Sequence, residues 1–216
     1  MPHSYIFFDA EPSISGLQKA DLDSYKRSFV QAIAVHPEIR TRAYATLGFK
    51  AGARFMLHLH ADEASTIQDF LRELMHTELG RHLKITYTLL GLRRPSPYNP
   101  KGTLSEEENP ERAYLIVYPF TKTIGWHLLP KEERGRIMKD HVAVGRQFNE
   151  SISQLLLYSY GIDDHEFIVA YQTDSLVDFQ TLVMELRGTE GRGHTLRDTP
   201  IFTCTRQTIE SALGMI

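Results

Sequence analysis

The chain of 216 residues is 42% apolar and 24% charged, with 24 basic against 27 acidic side chains and a formal net charge of −3. That length buries a core without disulfide or metal staples, as one large domain or two small ones. The near-balance of charge leaves no positive field for nucleic acid or anionic lipid. A single cysteine, Cys204, excludes an intramolecular disulfide, a four-cysteine zinc site and a CxxCH haem attachment, and it fits a reducing compartment.

The first ten residues have a short apolar run and no basic lead-in, so no signal peptide is expected. No window reaches the roughly 20 apolar residues of a bilayer span. The expectation is a cytoplasmic protein without membrane insertion. Ser4 to Phe8 reads as a strand, followed by a helix over Leu22–Val35 with Leu22, Tyr25, Phe29 and Ile33 on one stripe. Pro37 ends that helix. Strands over Arg40–Leu47 and Arg54–His60 follow. Asp62 is then the expected N-cap of a helix through Ile67, Phe70, Leu71, Leu74 and Met75, stopped by Gly80. Ile85–Leu90 closes a βαββαβ series.

A polar stretch follows, with Pro95, Pro97, Pro100, Gly102 and three glutamates at 106–108. After it the same order returns. Ala113–Pro119 is a strand, Leu129–Phe148 a helix with Pro130 in its first turn, and Ser153–Tyr160 and Glu166–Tyr171 are strands. Asp174 is the expected cap of a helix through Leu186, and Ile201–Thr205 the last strand. Phe55 and Phe167, Asp62 and Asp174, and Thr77-Glu78 and Thr189-Glu190 match at an offset of about 112, the mark of an internal duplication. Each half reads as an α+β ferredoxin-like fold, a four-stranded antiparallel sheet with both helices on one face. Packing the two bare sheet faces gives a dimeric α+β barrel within one chain. The expected boundaries are a structural and assembly half at 1–92, a linker at 93–112 and a second half at 113–216.

His141 shares a helical stripe with Ile137, Met138, Val144 and Phe148, and Gly145 stands one turn on. A lone histidine on an apolar face is more often a core residue than a ligand. The glycine leaves room for a flat ligand, and helix-to-sheet packing explains it equally. Tyr118, Phe120 and Lys122 alternate along a strand and share one side. A phenol beside an ammonium suits carboxylate binding and proton or electron transfer, but an edge tyrosine with a solvated lysine has the same spacing. Gln154, beside Leu155–Leu157, is either at a wet strand end or turned into a pocket. His58 and His60, at i and i+2, are able to share a metal with His76, but solvent-exposed histidines are the commoner account. No GxGxxG after a strand, GxxxxGK[ST], HExxH or GxSxG is present.

The second half, however, resembles the haem-binding half of the chlorite dismutase family. The resemblance rests on Tyr118-Pro-Phe-Thr-Lys122, on Gly125-Trp-His-Leu-Leu-Pro-Lys-Glu-Glu-Arg134, on Met138-Lys-Asp-His141, on 161–167, on 185–190 and on 195–200. It runs with clear motifs from about Arg94 to Arg206, and more weakly through the first half. The family includes chlorite dismutases and coproheme decarboxylases, and the resemblance implies the duplicated barrel with haem held in the second half.

It also implies roles for particular residues. His141 is the proximal iron ligand, and Glu190 the partner of its outer nitrogen. Tyr118 and Lys122 contact propionates, with Arg94, Tyr98 and Arg187 as further propionate candidates. Thirteen residues after the histidine, chlorite dismutases carry an arginine that holds the anionic substrate. This chain has Gln154 there, as the decarboxylase branch does. The implied activity is peroxide-dependent decarboxylation of coproheme, iron coproporphyrin III, to haem b. Tyr118 is its radical site, Lys122 its proton-transfer group, and Gln154 lies near the peroxide. A haem-dependent peroxidase, a chlorite dismutase and a non-catalytic haem-delivery protein are the alternatives. A homo-oligomer, a ring such as a pentamer, is implied as well.

Overall fold

The computed structural model describes residues 1–95 and 111–216. The expected linker therefore lies mostly outside the described residues. These residues form two compact units, Met1–Leu92 with Cys204–Ile216, and Arg93–Thr203.

In the first unit, β1 (Pro2–Ala10), β2 (Arg40–Ala45), β3 (Phe55–His60) and β4 (Leu83–Leu92) are joined through α1 (Lys19–Ala34) and α2 (Ala64–His76). Their order across the sheet is β4-β1-β3-β2, and every pairing is antiparallel. Alternation sorts the strands. Ile6, Phe8, Ala43, Phe55, Leu57 and Leu59 point into one core with Phe29, Ile33, Ile67, Phe70 and Leu74 of the helices. The opposite positions, including His3, Tyr5, Tyr44, Met56, His58 and His60, are buried too.

The helix over 64–76 starts with Glu63 at the cap position and no side-chain cap bond, so Asp62 is not the cap. The helix ends at His76, capped by Thr77, rather than at Gly80, which begins the next turn and packs so closely that a Cβ there would overlap the Leu74 carbonyl and the Met75 backbone.

In the second unit, β5 (Tyr114–Lys122), β6 (Ile152–Tyr158), β7 (Phe167–Thr173) and β8 (Thr195–Arg197) take the order β6-β7-β5-β8. This repeats the 4-1-3-2 order of the first unit and is again antiparallel throughout. Its helices are α3 (Ile124–Leu128), α4 (Lys131–Arg146) and α5 (Leu176–Arg187). Thr123 caps α3, a short helix the sequence reading did not foresee, by accepting from the Trp126 N–H, and Pro130 stands at the N-cap of α4, which fills most of the expected Leu129–Phe148 helix. Ser175, not Asp174, caps α5. Asp174 instead accepts from the Ala113 N–H at 2.8 Å and pairs with Arg112.

The C-terminal boundary differs from the sequence-based expectation. The fourth strand of the second sheet is Thr195–Arg197. The strand foreseen at 201–205 is β9 (Phe202–Gln207), which pairs antiparallel with β2 of the first unit. The following α6 (Ile209–Leu213) sends Ala212 and Leu213 into the first unit's core. A sheet edge as apolar as β2, buried at Ala43, Tyr44 and Ala45, demands a partner strand, and the chain's last residues supply it.

No helix among the described residues is long and apolar enough to cross a membrane.

Candidate functional site

Between the second sheet and its helices lies a cavity of about 310 Å³. Period-two alternation brings three strands to it: Tyr118, Phe120 and Lys122 from β5, Gln154, Leu156 and Tyr158 from β6, and Phe167, Val169 and Tyr171 from β7. From α4 come Arg134, Met138, His141 and Val142, and from α5 Val183, Leu186 and Arg187. The turn and strand that follow add Gly191, Arg192, Thr195 and Asp198. Gln154 is therefore turned into a pocket rather than to a wet strand end. A small annex of about 20 Å³, roomy enough for one water, joins His141, Gly145, Asn149, Gln154 and Tyr171.

His141 is set for ligation by its protonation state. Burial, with the positive charge of Lys122 second, lowers its pKa to about 4, so the imidazole is neutral and its lone pair is available at pH 7. The buried Gly191 packs beside the ring: an ideal Cβ there would stand in ordinary contact, 3.8 Å from His141 Nδ1 and 3.8 Å from Ile137 Cγ2.

The Lys122 ammonium lies 3.5 Å from both the Gly191 carbonyl and Thr195 Oγ1, and 4.7 Å from the centre of the Trp126 ring. Burial lowers its pKa to about 8, against the opposing pull of Glu166. Glu166 accepts from the Lys122 backbone N–H at 2.7 Å and pairs with His127 at 2.8 Å, which pins the end of β5.

The phenol of Tyr118 is pushed up to about 12, first by burial and then by the negative charge of Asp198. A hydrogen bond with the buried Tyr171 opposes that rise, and the two rings lie 6.2 Å apart. Tyr118 is thus a protonated, hydrogen-bonded phenol at neutral pH.

Cations outnumber anions around the cavity. Lys122, Arg134, Arg187 and Arg192 line it, and among the described residues Asp198 is the acidic one. Asp198 Oδ2 holds both Arg187, at 2.8 Å, and Arg192, at 2.9 Å. A neutral imidazole, an apolar slot and a surplus of positive charge suit a metalloporphyrin bearing several carboxylates. His141 would ligate the iron, and the lysine and arginines would face the carboxylates.

Tyr118, Lys122, His141, Gln154 and Arg187 thus meet at one cavity, and other expected residues do not. The carboxylate of Glu190 is held by Arg136, at 2.8 and 2.9 Å, and no hydrogen bond joins it to His141. A guanidinium fork that also grips Glu133 is a stronger partner than a neutral imidazole. Arg94 is exposed and does not line the cavity. Tyr98 lies outside the described residues.

His58 and His60 are not solvent-exposed as expected. They stack with His3 and Tyr5 on the buried face of the first sheet, and His3 Nδ1 lies 3.0 Å from His58 Nε2. His76 is exposed, with Nδ1 donating to the Arg72 carbonyl. Among the described residues no group of three histidine, cysteine or acidic side chains forms a metal site.

Sequence reasoning missed Tyr171, Trp126, Arg134, Arg192 and Asp198. For two of them a signal was available. Tyr171 alternates with Val169 and Phe167, and Arg134 precedes His141 by seven residues, two helical turns.

The model of the chlorite dismutase family matches residues 19–207. A coproheme decarboxylase from Mycolicibacterium smegmatis is 30% identical over 217 residues, covering 97% of this chain and 91% of that protein. A chlorite dismutase from Ideonella dechloratans is 28% identical over 181 residues, covering 78% of this chain and 63% of that protein. The structure of a chlorite dismutase from Candidatus Nitrospira defluvii in complex with imidazole superimposes with a TM-score of 0.90 at 26% identity, covering 99% of this chain and 93% of that one. With the family model spanning most of its length and both folded units shared with solved members, this chain belongs to the chlorite dismutase family.

Proposed function

We propose that the protein is a haem-pathway oxidoreductase, a hydrogen-peroxide-dependent coproheme decarboxylase that converts two propionates of iron coproporphyrin III to the vinyl groups of haem b. The observation that carries this reading is the charge pattern of the cavity. Among the described residues four cations face a single carboxylate, a surplus suited to a tetracarboxylate porphyrin, whereas the annex where His141 and Gln154 meet is lined by uncharged residues. An amide cannot clamp an anion such as chlorite as a guanidinium does. The relative that is 30% identical carries the same activity in its name.

The chemistry balances as an oxidation by peroxide. Each propionate loses carbon dioxide, one proton and two electrons as a vinyl forms, and peroxide takes up two electrons and two protons to give two waters. The ferric porphyrin, when bound, supplies the redox centre that activates peroxide. The chain's own residues do the rest. His141 ligates through a neutral nitrogen. Tyr118, oxidised to a phenoxyl, abstracts hydrogen from the propionate β-carbon, and its bond to Tyr171 holds the phenol in place. Lys122 orients the carboxylate and exchanges protons. Gln154 presents a neutral amide to the peroxide.

Assembly as a homo-oligomer, a cytoplasmic site of action and a structural role for the 1–92 half belong to the same reading.

The test is titration of the protein–coproheme complex with hydrogen peroxide, followed by mass spectrometry of the porphyrin. The expected result is stepwise loss of two carboxyl groups, with Tyr118→Phe slowing product formation by at least 100-fold. Absence of decarboxylated porphyrin, or an unchanged rate in Tyr118→Phe, overturns the mechanism. Oxygen evolved from chlorite would favour the dismutase alternative. Porphyrin binding that needs His141 but not Tyr118 and gives no turnover would favour a delivery role, whereas peroxide turnover without decarboxylation would favour a peroxidase.

A further inference from the structure

Of the four cations around the cavity, three are already engaged. Arg187 and Arg192 share Asp198, at 2.8 and 2.9 Å. Lys122 is placed against the Gly191 carbonyl and Thr195 Oγ1. The fourth, Arg134, differs. Its Nε is buried and has no hydrogen-bond partner, and no carboxylate within the described residues forms an ion pair with it. Glu133 and Glu190 are both held by Arg136 on the same helix.

Arg134 stands on the cavity stripe of α4, with Met138 one turn and His141 two turns further on. Seven residues of helix put its Cα about 10 Å along the axis from that of the iron-ligand candidate. A buried donor of a charged group left without a partner is costly, more so than a neutral one. An arginine in that state is relieved by a carboxylate, whose two oxygens match its planar fork.

We propose that Arg134 is an anchoring residue of the porphyrin site, binding a carboxylate of the tetracarboxylate substrate at the N-terminal end of α4. This assignment rests on the decarboxylase reading only for the identity of the carboxylate's bearer. It explains why a half-buried arginine with an unpartnered, buried Nε lines the cavity without an ion-pair partner among the described residues: the counter-ion arrives with the ligand. Arg187 and Arg192 must exchange or share Asp198 to reach a carboxylate, whereas Arg134 has nothing to give up.

The test uses the full chain and two probes, iron coproporphyrin III and metal-free coproporphyrin III. Binding is followed by absorbance for the first and by fluorescence for the second. The metal-free probe removes ligation by His141 from the comparison. Arg134→Gln is expected to weaken both probes by about tenfold, the loss of one charge-assisted contact. It is also expected to flatten the salt dependence of binding, a change that a purely structural role would not produce. Arg134→Lys keeps the charge without the fork and is expected to recover part of the loss.

Affinities within twofold of the parent for Arg134→Gln, at unchanged far-UV circular dichroism and melting temperature, overturn the proposal while leaving the decarboxylase reading intact. If Arg134→Gln does not fold, Arg134→Lys decides. A twofold or greater loss supports the anchor, and parental affinity overturns it. Failure of the parent protein to bind either probe overturns the proposal and the decarboxylase reading together.

Discussion

Lys122 shows how one side chain is tuned by where its strand ends. Burial lowers its pKa to about 8 from an ordinary 10.5, so the charged amine costs stability below pH 8 and the cost is relieved as pH climbs from 8 toward 10.5. A carboxylate ligand reverses the preference, because it favours the protonated amine. Above pH 8 binding must therefore take up a proton, and affinity for coproporphyrin is expected to fall up to tenfold per pH unit. Lys122→Arg, which stays charged, is expected to flatten that profile in a fluorescence titration between pH 7 and 10. An unchanged profile in the variant would remove Lys122 from carboxylate binding.

His141 behaves in the opposite functional sense. A pKa near 4 keeps the imidazole neutral through the physiological range, so proton competition with iron sets in only in strongly acidic solution. At this scale the sequence was partly legible. Tyr118 and Lys122 were placed on one side of a strand by period two alone, because adjacent strands do not alter which way a residue points. Glu190 came in through the family resemblance alone, and a matched motif says nothing about competition: Arg136 holds its carboxylate.

At the scale of elements, α4 and the turn before β8 build the wall behind His141. Gly191 sits where a Cβ would make ordinary contacts of 3.7–3.8 Å with Thr189, His141 and Ile137. Gly191→Ala is therefore expected to bind iron coproporphyrin within threefold of the parent. Gly191→Val, whose extra methyls must push the imidazole or Ile137 aside, is expected to lose about tenfold, at an estimated 1–3 kcal/mol of overpacking. Soret-band titration measures both, and equal affinities in the two variants would show that the ring tolerates displacement.

Most helices and strands were readable from periodicity, although α2 ends at His76 with Thr77 as its cap, four residues before the glycine expected to stop it. The short helix α3 was not, because five residues are too few for a periodic stripe to register. The burial of His58 and His60 was also hidden. Alternation put them on one face, but two imidazoles give no sign of whether that face is wet, and only the stacking with His3 and Tyr5 decides it.

At the scale of the whole molecule, the duplication was legible and its final boundary was not. Both units keep the 4-1-3-2 strand order, yet the second sheet takes its fourth strand from the three residues Thr195–Arg197, too short to register as a periodic run. Ile201–Thr205, the more apolar segment, drew the assignment instead. Because Leu213 and Ala212 are buried in the first unit's core, Leu213→Ala is expected to destabilise that unit by about 2–4 kcal/mol. Hydrogen exchange should quicken at Ala43–Ala45 and within α1, while the strands around the cavity keep their protection. Faster exchange confined to residues 111–203 would contradict the boundary.

That boundary also sets an order in time. The unit that holds the cavity is one uninterrupted run of chain, Arg93–Thr203, whereas the other is assembled from segments on both sides of it. As the polypeptide leaves the ribosome, the cavity-bearing unit has all its strands and helices before the first sheet has received its edge strand. All the residues of the pocket are thus synthesised before residues 204–216, which complete the unit begun first.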